Sequence, residues 1–192
     1  MKWNLNEVLT VTFTLFAVID IIGSIPLLIS LKTKMGMIRE LRATLISGAL
    51  MVLFLFFGKD FLALLGVGIH EFAVGGSIVI FLLGLEMVLG HDFFKSDPNA
   101  SSGTVVPVAF PIIAGSGTLT TVMSLKPTYD WPVILIGILI NLVSIYLVLR
   151  SLKWIEKLLG EAGLTAVRKF FGVILLAIAI KIFSTNLALF GK

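Results

Sequence analysis

The stretch FPIIAGSGTLTTVM, Phe110 to Met123, places a proline, two glycines, a serine and three threonines inside an otherwise apolar run. Glycine and proline weaken a helix. In hydrocarbon, every backbone group they leave unpaired is costly unless protein, water or a ligand satisfies it. A chain keeps such a break where it lines a cavity, so this segment reads as a membrane span interrupted for a purpose. The surroundings are hydrocarbon by composition. The 192 residues are 58% hydrophobic and 14% charged, with a mean hydropathy of +1.09, too little polar surface to cover a water-soluble globule. The formal charge of +4 therefore matters through its distribution among loops, and no nucleic-acid partner is expected. The chain has no cysteine, which excludes disulfides, thiolate metal sites and cysteine nucleophiles. Its N-terminal segment reads as a retained helix and not as a cleaved signal.

A membrane helix needs about 20 apolar residues, and six such runs are present. The first, Val8 to Leu31, holds Asp20 and is closed by Lys32, Lys34, Arg39 and Arg42. The second runs from Ala43 past Lys59 and Asp60 to Ile69, and the third from Glu71 to Gly90 with Gly75, Gly76 and Glu86 inside it. His91 to Gly103 is a polar loop with a turn-forming Asp97-Pro98-Asn99. Val105 to Leu125 is the broken fourth span, Pro132 to Leu149 the fifth and Phe170 to Phe190, holding Lys181, the sixth. Residues 150–169 alternate charged and apolar positions and are expected to lie along the interface. Lysines and arginines concentrate in the first, third and fifth connections, which places those in the cytoplasm and both termini outside. Trp3 and Trp131 then mark the outer boundary and Trp154 the inner one.

Displaced by 94 residues, FAVIDIIGSIPLLISL of the first span aligns with FPIIAGSGTLTTVMSL of the fourth, pairing Gly23 with Gly117 and Ser24 with Thr118. A unit of three spans has odd parity, so a second copy enters from the opposite side and the repeats are inverted. The expected fold is an all-α membrane protein. It is a single domain of six transmembrane helices over 1–192, with repeat one at about 1–92, a cytoplasmic loop at 91–104, and repeat two at 105–192. Helices 1 and 4 are broken. Their breaks would meet near the midplane, where half-helix N-termini offer N–H groups to a carboxylate, and Ser24, Thr118, Thr120 and Thr121 offer hydroxyls. Asp20 faces a substrate ammonium, a proton or a cation, or else caps a helix fragment. Glu86 and Lys181 fall at near-equivalent positions of the two halves, as an ion pair, as snorkelling groups or as coupling residues. Asn141 and Ser144 either bond across helices or line the cavity, and the remaining span glycines read as helix contacts. His70-Glu71 and His91-Asp92 lack ligand spacing, so no metal site is expected.

The two breaks, Asp20-Ile21-Ile22-Gly23-Ser24-Ile25-Pro26 and Pro111 to Leu119, together with Gly75-Gly76 and AVRKFFGVILLAIAI, resemble the MarC family of six-span prokaryotic membrane proteins. The resemblance covers essentially the whole chain. It implies a prokaryotic cytoplasmic membrane, transport of small neutral amino acids such as alanine and glycine, and kinship with amino-acid and metal-ion exporters. Carried over by motif, Asp20, Gly23, Pro26, Gly115, Gly117 and Thr118 form the substrate region, with Ser24, Ser116, Thr120 and Thr121 beside them. Family members usually have proline where Ile21 and Ser116 stand here, which softens both breaks and bears on preference or gating.

The leading reading is a secondary transporter with no cofactor. The chain contains no G-x-x-x-x-G-K-[ST] nucleotide motif, so a proton or sodium gradient, or the substrate's own, supplies the energy. Its partners are a small neutral amino acid and membrane lipid, with a homo-oligomer left open. The alternatives are an exporter or channel for another solute or metal ion and, less favoured, an intramembrane enzyme, for which a lone Asp20 offers no evident nucleophile or dyad.

Overall fold

The computed structural model describes residues 4–35, 37–90 and 105–189. Among them every regular element is helical. The polar loop expected at 91–103, and Trp3, lie outside the described residues. The first span divides into α1 (Leu5–Ile19) and α2 (Ile25–Met35). The second and third become α3 (Glu40–Leu64) and α4 (Ile69–Leu89). The fourth is a π-helical segment, Val105–Ile113, followed by α5 (Ser116–Leu125), the two bent by 52°. The rest of the chain forms α6 (Trp131–Gly160) and α7 (Ala162–Leu187). Helices α3, α4, α6 and α7 are each long and apolar enough to cross a membrane, and the bent pair adds a fifth candidate span. Helix α1, with 15 residues, and α2, with 11, are individually too short.

The helix ends follow local chemistry. Asp130 precedes α6, and Pro132 sits in its first turn, where a missing N–H removes no helical bond. Gly90 closes α4 in the left-handed region. The expected interfacial helix over 150–169 is corrected. Helix α6 runs on for three turns beyond Leu149, and the direction changes only at Gly160 (φ 61°, ψ 176°), a backbone conformation essentially confined to glycine. Burial of Leu152 and the Lys32–Glu156 ion pair (2.5 Å) hold that extension against the body of the protein.

Packing relies on close backbone approach. A Cβ on Gly137 of α6 would press on Val11 of α1, and one on Gly48 of α3 on Leu142 of α6. Gly84 of α4 faces Gly172 and Leu176 of α7. His70, at the start of α4, meets Asn186, near the end of α7 (3.0 Å), so these two helices run antiparallel. Phe56 of α3 meets Trp131, the first residue of α6, with the two rings tilted by 56°, whereas Gly48 lies against Leu142 further along α6, so that pair is antiparallel too. Trp131 and Trp154 are both exposed and stand about 35 Å apart along α6, the separation of two membrane interfaces.

Asn141 is buried on α6, and its Nδ2 donates to Thr12 O of α1 (3.1 Å) and to Gly137 O (2.8 Å). Of the two roles open to it, it takes the bond across helices. Asn141→Leu should destabilise the purified protein by about 1 kcal/mol, read as a lower thermal midpoint in detergent; an unchanged midpoint would mean that this bond holds nothing together.

Candidate functional site

Asp20 ends α1 with left-handed dihedrals (φ 46°, ψ 48°), a region that most side chains avoid and that aspartate and asparagine tolerate. Its N–H donates to Phe16 O (3.1 Å), its carbonyl accepts from Ser24 N–H (3.0 Å), and Oδ1 accepts from Gly23 N–H (3.1 Å). A Cβ at position 23 would collide with this carboxylate, so glycine is what lets Asp20 fold over the turn. Pro26 then sits in the first turn of α2.

The second break is built differently. Pro111 supplies no N–H, and Ala114 N–H reaches back five residues to Ala109 O (2.9 Å), continuing the π pattern. Ser47 of α3 donates to Ala43 O (2.9 Å) and lies 3.4 Å from the same Ala109 O. Gly115 turns extended (φ −74°, ψ 172°) and starts α5 by accepting from Leu119 N–H (2.9 Å). Thr118 Oγ1 donates to Ile113 O (3.1 Å), the last carbonyl of the π segment. No side chain caps α5. Among the described residues, no backbone carbonyl accepts from the N–H groups of Ser116, Gly117 or Thr118. This end of α5 therefore keeps a partial positive charge.

The two breaks border one cavity of about 90 Å³. Asp20, Ser24 and Leu27 line it from the first, and Pro111, Ile112, Gly115, Gly117 and Thr118 from the second. Ile80 and Leu83 of α4 and Leu175, Ile178 and Ile182 of α7 complete the wall. The space amounts to roughly a few water molecules. Asp20 remains exposed, while Ser24 and Thr118 are buried. The cavity thus sets an acidic group and an uncapped helix N-terminus within a largely apolar chamber.

Asp20, Ser24, Gly115, Gly117 and Thr118 are brought together as the sequence suggested. Gly23 shapes the first turn, and Pro26 faces a different cavity. The threonine hydroxyls need a correction as free donors. Thr120 and Thr121 both donate to Gly117 O (3.0 and 2.8 Å), and Thr118 to Ile113 O, so all three protons are spent on the backbone. Ser116 is buried against Gly76 of α4 and its Oγ has no partner. Glu86 is 3% exposed on α4 and is engaged elsewhere, whereas Lys181 is exposed on α7, so the two do not form a buried pair. Among the described residues no cluster of three His, Asp or Glu could hold a metal ion. Sequence reasoning missed the wall from α4 and α7. Its residues recur three and four apart on one helix face, the same signal that ordinary core packing gives.

The family description "MarC family integral membrane protein" matches residues 5–190 of the chain. UPF0056 inner membrane protein YhgN of Escherichia coli K12 is 28% identical, covering 98% of this chain and all of that protein. UPF0056 membrane protein YvbG of Bacillus subtilis is also 28% identical, covering 92% of each chain. A UPF0056 membrane protein of Pyrococcus abyssi is 28% identical over 87% of each. No solved structure matches.

Proposed function

The chain belongs to the MarC family of integral membrane proteins, and from that premise we propose that it is a secondary transporter of small neutral amino acids working by alternating access around the broken-helix cavity. One observation carries this reading: two helix breaks 94 residues apart in sequence border the same small chamber. The chemistry of its ends is that of a zwitterion. The unpartnered N–H groups of α5 suit a carboxylate, the Asp20 carboxylate suits an ammonium, and the limited volume favours the smallest side chains. A proton or sodium ion taken up with the substrate supplies the driving force.

The architecture we propose has six crossings, α1 and α2 together forming the first, arranged as two inverted repeats. Adding 94 to the bounds of α3, 40–64, gives 134–158, inside α6; adding it to those of α4, 69–89, gives 163–183, inside α7. Both pairs run antiparallel, as equivalent helices of an inverted repeat must. From its break, α2 extends 11 residues one way and α5 extends 10. Each is about 15 Å long, half the thickness of the hydrocarbon core, which supports a midplane site. The charge distribution supports both termini outside a prokaryotic cytoplasmic membrane.

The test is uptake of labelled alanine and glycine into proteoliposomes, with and without proton and sodium gradients. Saturable uptake that unlabelled alanine accelerates by exchange supports a carrier. Flux that rises without saturation marks a channel, and no flux of either amino acid from intact protein removes this substrate class and brings other solutes or metal ions forward.

A further inference from the structure

We infer that the α2–α7 interface holds a second site, apart from the broken-helix cavity, that binds an oxyanion of the phosphate class. A cavity of about 340 Å³ is lined by Pro26, Ile29, Ser30 and Thr33 of α2 and by Leu164, Thr165 and Arg168 of α7. Among the described residues Arg168 is the one charged residue of this lining, and its Nε is buried with no hydrogen-bond partner. A buried guanidinium N–H without an acceptor carries its full desolvation cost. Phosphate removes that cost best, because the planar fork of arginine matches its oxygens.

The surroundings agree in sign. Among the described residues Glu156 is the nearby acid, 3.5 Å from Thr33 Oγ1, but its other oxygen is paired with Lys32 Nζ at 2.5 Å, so its charge is already compensated. The Thr33 hydroxyl also donates to Ile29 O (3.0 Å) and Thr165 is engaged as well, so among the described residues the Arg168 guanidinium and the Ser30 hydroxyl are the donors left to the space. Leu164 and Thr165 belong to the first turn of α7, whose positive end lies on this side. Exposed Lys153, Trp154 and Lys157 mark the same end of the molecule as headgroup level. Basic pockets between membrane helices at that level take lipid headgroups, and the same chemistry accepts free phosphate from the aqueous phase.

The experiment uses the full-length protein, delipidated in detergent, with its thermal midpoint titrated by phosphatidylglycerol, by diacylglycerol of the same chains, and by inorganic phosphate. We expect phosphatidylglycerol to stabilise and diacylglycerol not to. The apparent affinity should fall about tenfold in Arg168→Gln, fall less in Arg168→Lys, and hold in Lys157→Gln. Stabilisation by inorganic phosphate that likewise depends on Arg168 supports the site with a soluble ligand. If Arg168→Gln does not fold, Ser30→Leu, which fills the cavity and keeps the charge, should lose the same response. The proposal is overturned if diacylglycerol stabilises as well as phosphatidylglycerol, if Arg168→Gln (or, where that fails to fold, Ser30→Leu) responds like the wild type, or if Lys157→Gln loses the response equally.

Discussion

Replacing Asp20 with asparagine is expected to cut saturable alanine uptake by at least about tenfold while leaving the thermal midpoint nearly unchanged. Asparagine keeps an oxygen that can accept from Gly23 N–H, and it tolerates the left-handed dihedrals that Asp20 adopts. The turn between α1 and α2 is therefore preserved, and only the negative charge at the cavity rim is removed. Asp20→Ala is the complementary variant. It loses the charge and the turn bond together, so its midpoint should fall as well. Uptake by Asp20→Asn at the wild-type rate would reduce Asp20 to a helix cap and leave the proposed ammonium site without its counter-charge.

The second large effect concerns two glycines of one break that differ in what surrounds them. A Cβ on Gly115 would overlap Pro111 O, a backbone atom that no rotamer change can move aside. A Cβ on Gly117 meets only Val18 Cγ1 at 3.8 Å, an ordinary contact. Gly115→Ala should therefore cost about 3 kcal/mol and sharply lower the yield of folded protein, whereas Gly117→Ala should fold normally. Fluorescence-detected size exclusion followed by thermal melts of both variants checks the contrast. Equal behaviour would mean that the π segment and α5 are not joined through this tight corner.

Much of this was legible in the sequence because it rests on single residue types. Pro111, Gly115 and Gly117, clustered within seven residues of an apolar run, announce a break, and a 94-residue displacement pairs that break with Asp20 to Ser24. Long apolar runs located α3 and α4, and the ends of α4 to within two residues, but the second run was carried to Ile69, five residues past the end of α3 and onto the first residue of α4. The charged stretch after Leu149 misled, because Lys153, Lys157 and Glu156 look interfacial by alternation, whereas the helix continues and uses Glu156 to pair with Lys32. No local pattern reports a bond between residues 124 positions apart. The hydroxyls misled for a related reason. A threonine inside a helix can donate to the preceding turn, and Thr120 and Thr121 do so, while Thr118 donates across the break to Ile113 O. The apolar wall of Ile80, Leu83, Leu175, Ile178 and Ile182 was invisible as a site because its spacing is that of any packed helix.

The proposed transporter binds its substrate where the two breaks meet. The chain has no native cysteine, so single cysteines can be placed without altering a background. Ser24→Cys and Thr118→Cys border the cavity from opposite halves of the chain, while Thr121→Cys stands outside it on the same helix as Thr118. The most direct measurement is the rate at which a small methanethiosulfonate reagent modifies each thiol in proteoliposomes with and without alanine. Alanine is expected to slow modification at positions 24 and 118 together, with one shared half-maximal concentration, and to leave position 121 unaffected. Unchanged rates at both cavity positions under an alanine concentration that saturates uptake would place the substrate elsewhere and contradict the proposed site.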